Sequence, residues 1–120
     1  MLLRNKDKEA LLNIFSSAMT PMEVWAYGSR VTGTAHEGSD LDLVIRAQNL
    51  RKFPHEALMK IKEKIRESNI PIIVEVFDWT RLPESFHRNI EANHLVLYSN
   101  FEIFVNEAPP EYNQKKEEKE

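Results

Sequence analysis

The stretch YGSRVTGTAHEGSDLDLVI, from Tyr27 to Ile45, constrains the fold of this 120-residue chain more than any other part of it. It holds all three glycines of the sequence, Gly28, Gly33 and Gly38, and runs into Asp40-Leu41-Asp42 and a short apolar segment. On a strand, Leu41, Leu43 and Ile45 point one way and Asp40, Asp42 and Val44 the other. Two carboxylates then share one face about 6–7 Å apart, on an element anchored from its apolar side. Such a pair repels itself unless a cation lies between. Hard divalent ions such as Mg²⁺ take carboxylate, phosphate and water oxygens.

Gly28-Ser29 follows directly on the apolar run Met22–Tyr27, which reads as a strand. Glycine lets backbone N–H groups approach an anion closely, and a serine opening a helical turn adds a hydroxyl and the positive end of the turn. Together they form a small phosphate cradle. Each half alone has a plainer reading: a bare Asp-x-Asp is usually a solvated face, and an isolated Gly-Ser a simple turn. The combination of strand, Gly-Ser, ten residues (Arg30 to Ser39), Asp-x-Asp and strand points to metal-assisted phosphoryl or nucleotidyl chemistry. Gly33 is expected to permit close packing of the turn. Gly38 is expected to supply a positive-φ bend into the aspartate strand.

The remaining periodicities predict a helix over 7–19 ended by Thr20-Pro21 and an amphipathic helix over 54–68 stopped by Asn69. They also predict a strand over 71–77, a third helix capped by Asp78 or Thr80 and running to about Ala92, and a last strand over 94–98. Alternating strands and helices give an α/β (α+β) class, with one small mixed sheet covered by helices. Trp25 and Trp79 flank two of the strands and are expected in the core. His36, His55, His87 and His94 have no zinc-ligand spacing and are expected in solvent or partly buried.

Composition closes several routes. Without cysteine there is no disulfide, thiolate metal site or cysteine nucleophile. A net charge of −3 argues against direct nucleic-acid binding. Seven Lys/Arg against two acids lie between Arg46 and Arg66, mostly on the solvated side of the second helix. Charges interrupt MLLRNKDKEALLNIF, so the start reads neither as a signal peptide nor as a membrane span, and a cytoplasmic location is expected. Residues 106–120 carry charge and a Pro-Pro pair without apolar periodicity, so a domain over 1–105 and a disordered tail are expected.

GSRVTGTAHEGSDLDLVI resembles the signature of the nucleotidyltransferase superfamily related to DNA polymerase β. It is most similar to the minimal nucleotidyltransferases, single small prokaryotic domains commonly encoded beside a HEPN-domain partner. IPIIVEVFDW resembles the family's third-carboxylate strand, and SFHRNIEANHLVLY its closing helix and strand. The resemblance implies a polymerase β-like fold, ATP as donor, Mg²⁺ or Mn²⁺ as cofactor and AMP as the group moved. The implied acceptor is a tyrosine on a HEPN ribonuclease toxin, held in a hetero-oligomer and neutralised by it. Asp40, Asp42 and a third acid would bind metal and carry catalysis, and Gly28, Ser29, Arg30 and Ser39 would contact nucleotide, although Arg30 reads equally as a surface arginine and Ser39 more readily as a turn residue.

The third acid is Glu75 or Asp78. Glu75 interrupts PIIVEVF in mid-strand, where an idle charge is costly, whereas Asp78 has an alternative as a helix cap. Glu75 is therefore preferred, although the minimal family more often has aspartate there. Two rivals remain. A non-catalytic module would neutralise the HEPN partner by complex formation alone. A small-molecule nucleotidyltransferase would need an additional helical domain that 120 residues cannot encode.

Overall fold

Leu41, Leu43 and Ile45 are fully buried, and the fold is arranged around the strand that carries them. The computed structural model describes residues 1–36 and 38–102, so the expected tail from 106 lies outside the described residues. The elements are α1 (Asn5–Ser17), β1 (Glu23–Tyr27), α2 (Ser29–Thr32), β2 (Leu41–Arg46), α3 (His55–Arg66), β3 (Val74–Asp78), α4 (Glu84–Ala92) and β4 (Leu95–Ser99). The sheet order is β3-β2-β1-β4. β1 is antiparallel to both β2 and β4, while β2 and β3 run parallel across the α3 crossover. This is the mixed sheet that the alternation of strands and helices predicts.

One sheet face is covered by α1 and α3. Leu11 and Phe15 of α1 and Leu58 and Ile61 of α3 pack against Val24, Ala26, Leu41, Leu43, Ile45 and Val76. Each such side chain stabilises by about 1.5–3 kcal/mol when buried. Asn100, just after β4, ties that strand to the start of β1, accepting from Met22 N–H at 2.7 Å and donating to the Thr20 carbonyl at 2.9 Å. Among the described residues no helix is long and apolar enough to cross a membrane.

The opposite face is covered at one end only. Val44 points to the aspartate side, as its position requires, yet it is buried with Trp25, Trp79 and Ile90. Arg46 lies between the two indoles, 3.9 Å from the Trp25 ring centroid and 4.4 Å from that of Trp79. His94 stacks on Trp25 and His87 on Trp79, so these histidines are partly buried while His36 and His55 are exposed. The other end of the face, beyond Val44, is where the carboxylates lie.

Three local expectations need correction, one being that Gly33 permits close packing: nothing lies within 4 Å of where its Cβ would stand, and it serves a positive φ instead. Asp78 and Thr80 do not open the third helix: Asp78 caps a 3-10 turn over Trp79–Arg81, and α4 starts only after Pro83. Proline disfavours helix in the residue before it, so Leu82 stays extended. The positive-φ glycines are Gly28 (φ 84°) and Gly33 (φ 92°), not Gly38. The bend at Gly38 is made instead by side chains, with Ser39 Oγ accepting from His36 N–H and His36 Nδ1 accepting from Gly38 N–H, each at 3.1 Å.

Candidate active site

Register brings the predicted residues together. Asp42 of β2 lies opposite Tyr27 of β1 and opposite Glu75 of β3. Partners in adjacent strands share a face, so Tyr27, Asp42 and Glu75 form a row across the open end of the sheet, with strands about 4.8 Å apart. Asp40 and Glu75 are exposed and Asp42 is half-buried. Among the described residues none of the three carboxylates is paired with a cation. Burial, then the charges of Asp40 and Glu75, hold the Asp42 carboxyl above its ordinary value. Burial and the same negative field from Asp42 and Glu75 push the Tyr27 phenol up to about 12. The crowding is that of a site short of one positive charge.

Asp78 is placed differently. It lies two residues beyond Val76 on the covered side of β3 and is 2% exposed. One oxygen accepts from Phe53 N–H, and the other from the N–H and hydroxyl of Thr80, all at 3.0 Å. Glu75 and Asp78 are an odd number of residues apart, so a strand must separate them onto opposite faces.

Gly28 meets two demands. Its φ of 84° is one that side chains rarely adopt, and a Cβ there would come within 2.6 Å of Asp42 Oδ2. The carboxylate therefore sits directly against the start of the Gly28-Ser29 turn, whose first N–H groups have no intrahelical acceptor. Gly28→Ala is expected to cost about 1–3 kcal/mol in backbone strain and to turn the Asp42 side chain away. Gly33→Ala provides the control: φ is 92°, but nothing lies within 4 Å of the added carbon. Melting curves should show both variants destabilised, whereas only Gly28→Ala should also lose the activity of the site.

Arg30 and Ser39 are engaged within the loop that leads to Asp40. Arg30 is 4% exposed, and its guanidinium donates to the Ser39 carbonyl at 2.9 and 2.7 Å and to the carbonyls of Leu2 and His36. It clamps the loop one residue before Asp40 and is not presented to a triphosphate. Ser39 spends its hydroxyl on the turn that Gly38 was expected to make. Sequence reasoning missed Tyr27, whose position at the end of β1 beside the cradle was the available signal. It also missed the α4 face that flanks Gly28.

Among the described residues no three acidic or histidine side chains converge tightly enough to form a metal cage alone. Asp40, Asp42 and Glu75 nevertheless fit a hard cation by chemistry: they are oxygen donors, unpaired and mutually repelling. Such a site suits an ion that arrives with phosphate oxygens of its own.

A family model described as "Polymerase beta, Nucleotidyltransferase" matches residues 9–103. The chain is 32% identical over 95 residues to a protein of Haemophilus influenzae described as "Probable protein adenylyltransferase MntA", covering 79% of this chain and 82% of that protein. Among solved structures, a chain of a toxin–antitoxin crystal structure with AMP-PNP superposes with a TM-score of 0.62 at 16% identity, over 92% of this chain and 91% of that one. A chain from a tri-AMPylated Shewanella oneidensis HEPN toxin in complex with MNT antitoxin superposes with a TM-score of 0.59 at 10% identity, over 95% and 87% of the two chains. At these identities the structural likeness speaks for the fold.

Proposed function

The chain belongs to the polymerase beta nucleotidyltransferase family, and on that premise we propose that it transfers AMP from ATP to a tyrosine hydroxyl of a HEPN-type toxin and so acts as its antitoxin. The observation that carries this reading is the row of Asp42 and Glu75 directly beside Gly28. The relatives named for adenylyl transfer and for toxin–antitoxin complexes support the acceptor class.

The N–H groups of the Gly28-Ser29 turn hold phosphate oxygens of the donor. Asp40, Asp42 and Glu75 would hold Mg²⁺ or Mn²⁺, which when bound would neutralise phosphate charge and favour ionisation of the attacking hydroxyl. In transfer the tyrosine oxygen bonds to the α-phosphorus, the bond to the bridging oxygen of the β-phosphate breaks, and pyrophosphate leaves. Glu75, exposed on edge strand β3 where another protein can approach, accepts the tyrosine proton on its carboxylate. Use of ATP as donor makes the cytoplasm the fitting location.

Labelled ATP and Mg²⁺ added to this chain with its HEPN partner test the reading. Label on a partner tyrosine is expected. A tight complex that stays unlabelled would show neutralisation by occlusion instead.

The cation is expected to bind weakly to the protein alone and far more tightly with ATP present, because three carboxylates leave coordination positions for phosphate oxygens. Calorimetric titration of Mg²⁺ with and without a non-hydrolysable ATP analogue measures this. Equal, tight binding in both would contradict the proposed division of ligands.

A further inference from the structure

Beside Gly28, between the end of β1 and the face of α4, lies a cavity of about 310 Å³. Phe86, Asn89 and Ile90 of α4 and Asn93 just past its end form one wall, and Tyr27 and Thr32 complete the lining. None of these residues carries a charge at neutral pH, in contrast to the carboxylate row beside it. We propose that this cavity seats the base of the donor nucleotide, and that Asn89 and Asn93 make it selective for adenine. The inference rests on the nucleotidyl-transfer reading and adds to it the residues that choose the donor.

Three features support this occupant. The first is continuity: Gly28 both lines the cavity and abuts Asp42, so a molecule with phosphates at the Gly28-Ser29 turn has its other end within reach of the cavity. The second is surface chemistry. Phe86 is 47% exposed, a large ring left open to solvent, and an aromatic face stacks any base with little preference. Ile90 and Tyr27 extend the apolar wall.

The third is polar and directional. Asn93 N–H closes on the Asn89 carbonyl at 3.1 Å, capping the end of α4, and both residues line the cavity. Both side chains are exposed, and neither amide is hydrogen-bonded to a described residue. A primary amide offers a donor and an acceptor side by side. Adenine offers the complementary pair at its exocyclic amine and adjacent ring nitrogen, and Asn or Gln is the side chain that reads that pair in a bidentate way. Guanine, with a carbonyl in place of the amine, presents two acceptors on the same edge.

The test is equilibrium binding of ATP, GTP and inorganic tripolyphosphate, each with Mg²⁺, to the wild-type chain, to Phe86→Ala and to the Asn89→Ala/Asn93→Ala pair. All three positions are exposed, so the variants should fold, and melting curves verify it. Wild type should prefer ATP over GTP by about tenfold or more. The asparagine pair should lose about 10- to 100-fold in ATP affinity and bring the ATP:GTP ratio close to one. Phe86→Ala should weaken both nucleotides alike, by about tenfold. Tripolyphosphate should bind all three proteins equally, because it never enters the cavity. An unchanged ATP:GTP ratio in the asparagine pair, or an equal wild-type affinity for the two nucleotides, overturns the assignment. Variants that keep full nucleotide affinity but lose the HEPN partner would assign the cavity to a partner side chain and overturn it too. If wild type binds neither tripolyphosphate nor ATP, the nucleotidyl-transfer reading itself has failed and takes this inference with it.

Discussion

Asp40→Ala and Asp42→Ala are each expected to reduce AMP transfer by about 10³-fold or more. A metal site contributes several kcal/mol of charge stabilisation to phosphoryl chemistry, and each ~1.4 kcal/mol is worth a factor of ten. Neither change touches the core, because Leu41, Leu43 and Ile45 bury the other side of the strand. The stability effect of Asp42 has a defined sign. Its folded-state pKa is raised above the ordinary 3.8, first by burial and then by Asp40 and Glu75. The stability it contributes is therefore complete below 3.8 and is lost as pH rises through the raised value. At neutral pH the ionised group opposes folding, so Asp42→Asn should melt higher than wild type. That gain should shrink to nothing as the buffer is taken below the ordinary aspartate value. Transfer assays beside melting curves at neutral and acidic pH measure both effects. Wild-type transfer by both alanine variants would end the nucleotidyltransferase interpretation.

The parts of this protein that were legible in advance are those written in short-range pattern. DLDLVI alternates, so the side on which Asp40 and Asp42 lie follows from strand geometry alone, as does the burial of Leu41, Leu43 and Ile45. The mid-strand position of Glu75 was visible for the same reason. What the pattern does not contain is register. That Asp42 faces Glu75 in one neighbour and Tyr27 in the other depends on how three strands align, and no single strand encodes it.

The roles of small loop residues were equally hidden. An arginine after a Gly-Ser turn looks like a phosphate ligand, and only the folded loop shows Arg30 turned inward onto the Ser39 carbonyl. Gly38 looked like the positive-φ residue because it precedes the strand, but Ser39 and His36 make that turn with side chains. The strain falls on Gly28, where the Asp42 carboxylate leaves no room for a Cβ. Asn89 and Asn93 carry no signal of their own in the sequence; only the fold shows α4 and the residue after it flanking the same glycine.

Glu75→Gln and Asp78→Asn are expected to fail in opposite ways. Glu75 is exposed and unpaired among the described residues, so its amide should fold as well as wild type, or slightly better for having one fewer charge near Asp42. Its loss should appear in transfer, which should fall by about 10²–10⁴-fold if the carboxylate takes the tyrosine proton, while ATP affinity changes little. Asp78 reads from sequence as a cap that asparagine replaces at small cost, but its surroundings require more. Both its oxygens accept, one from the buried Phe53 N–H and the other from Thr80. An amide must point its NH₂ at one of those donors. A donor facing a buried donor forfeits the bond and costs about 1–3 kcal/mol, or roughly 3–6 °C in Tm per kcal/mol for a domain of this size. Asp78→Asn should therefore melt lower yet, below its transition, transfer AMP at close to the wild-type rate, since Asp78 lies on the side of β3 away from Asp42. Melting temperature and transfer rate measured on both variants separate a carboxylate that holds the fold from one that does chemistry. A stable Asp78→Asn that has lost transfer, beside a fully active Glu75→Gln, would move the third carboxylate to position 78 and require β3 to turn over during the reaction.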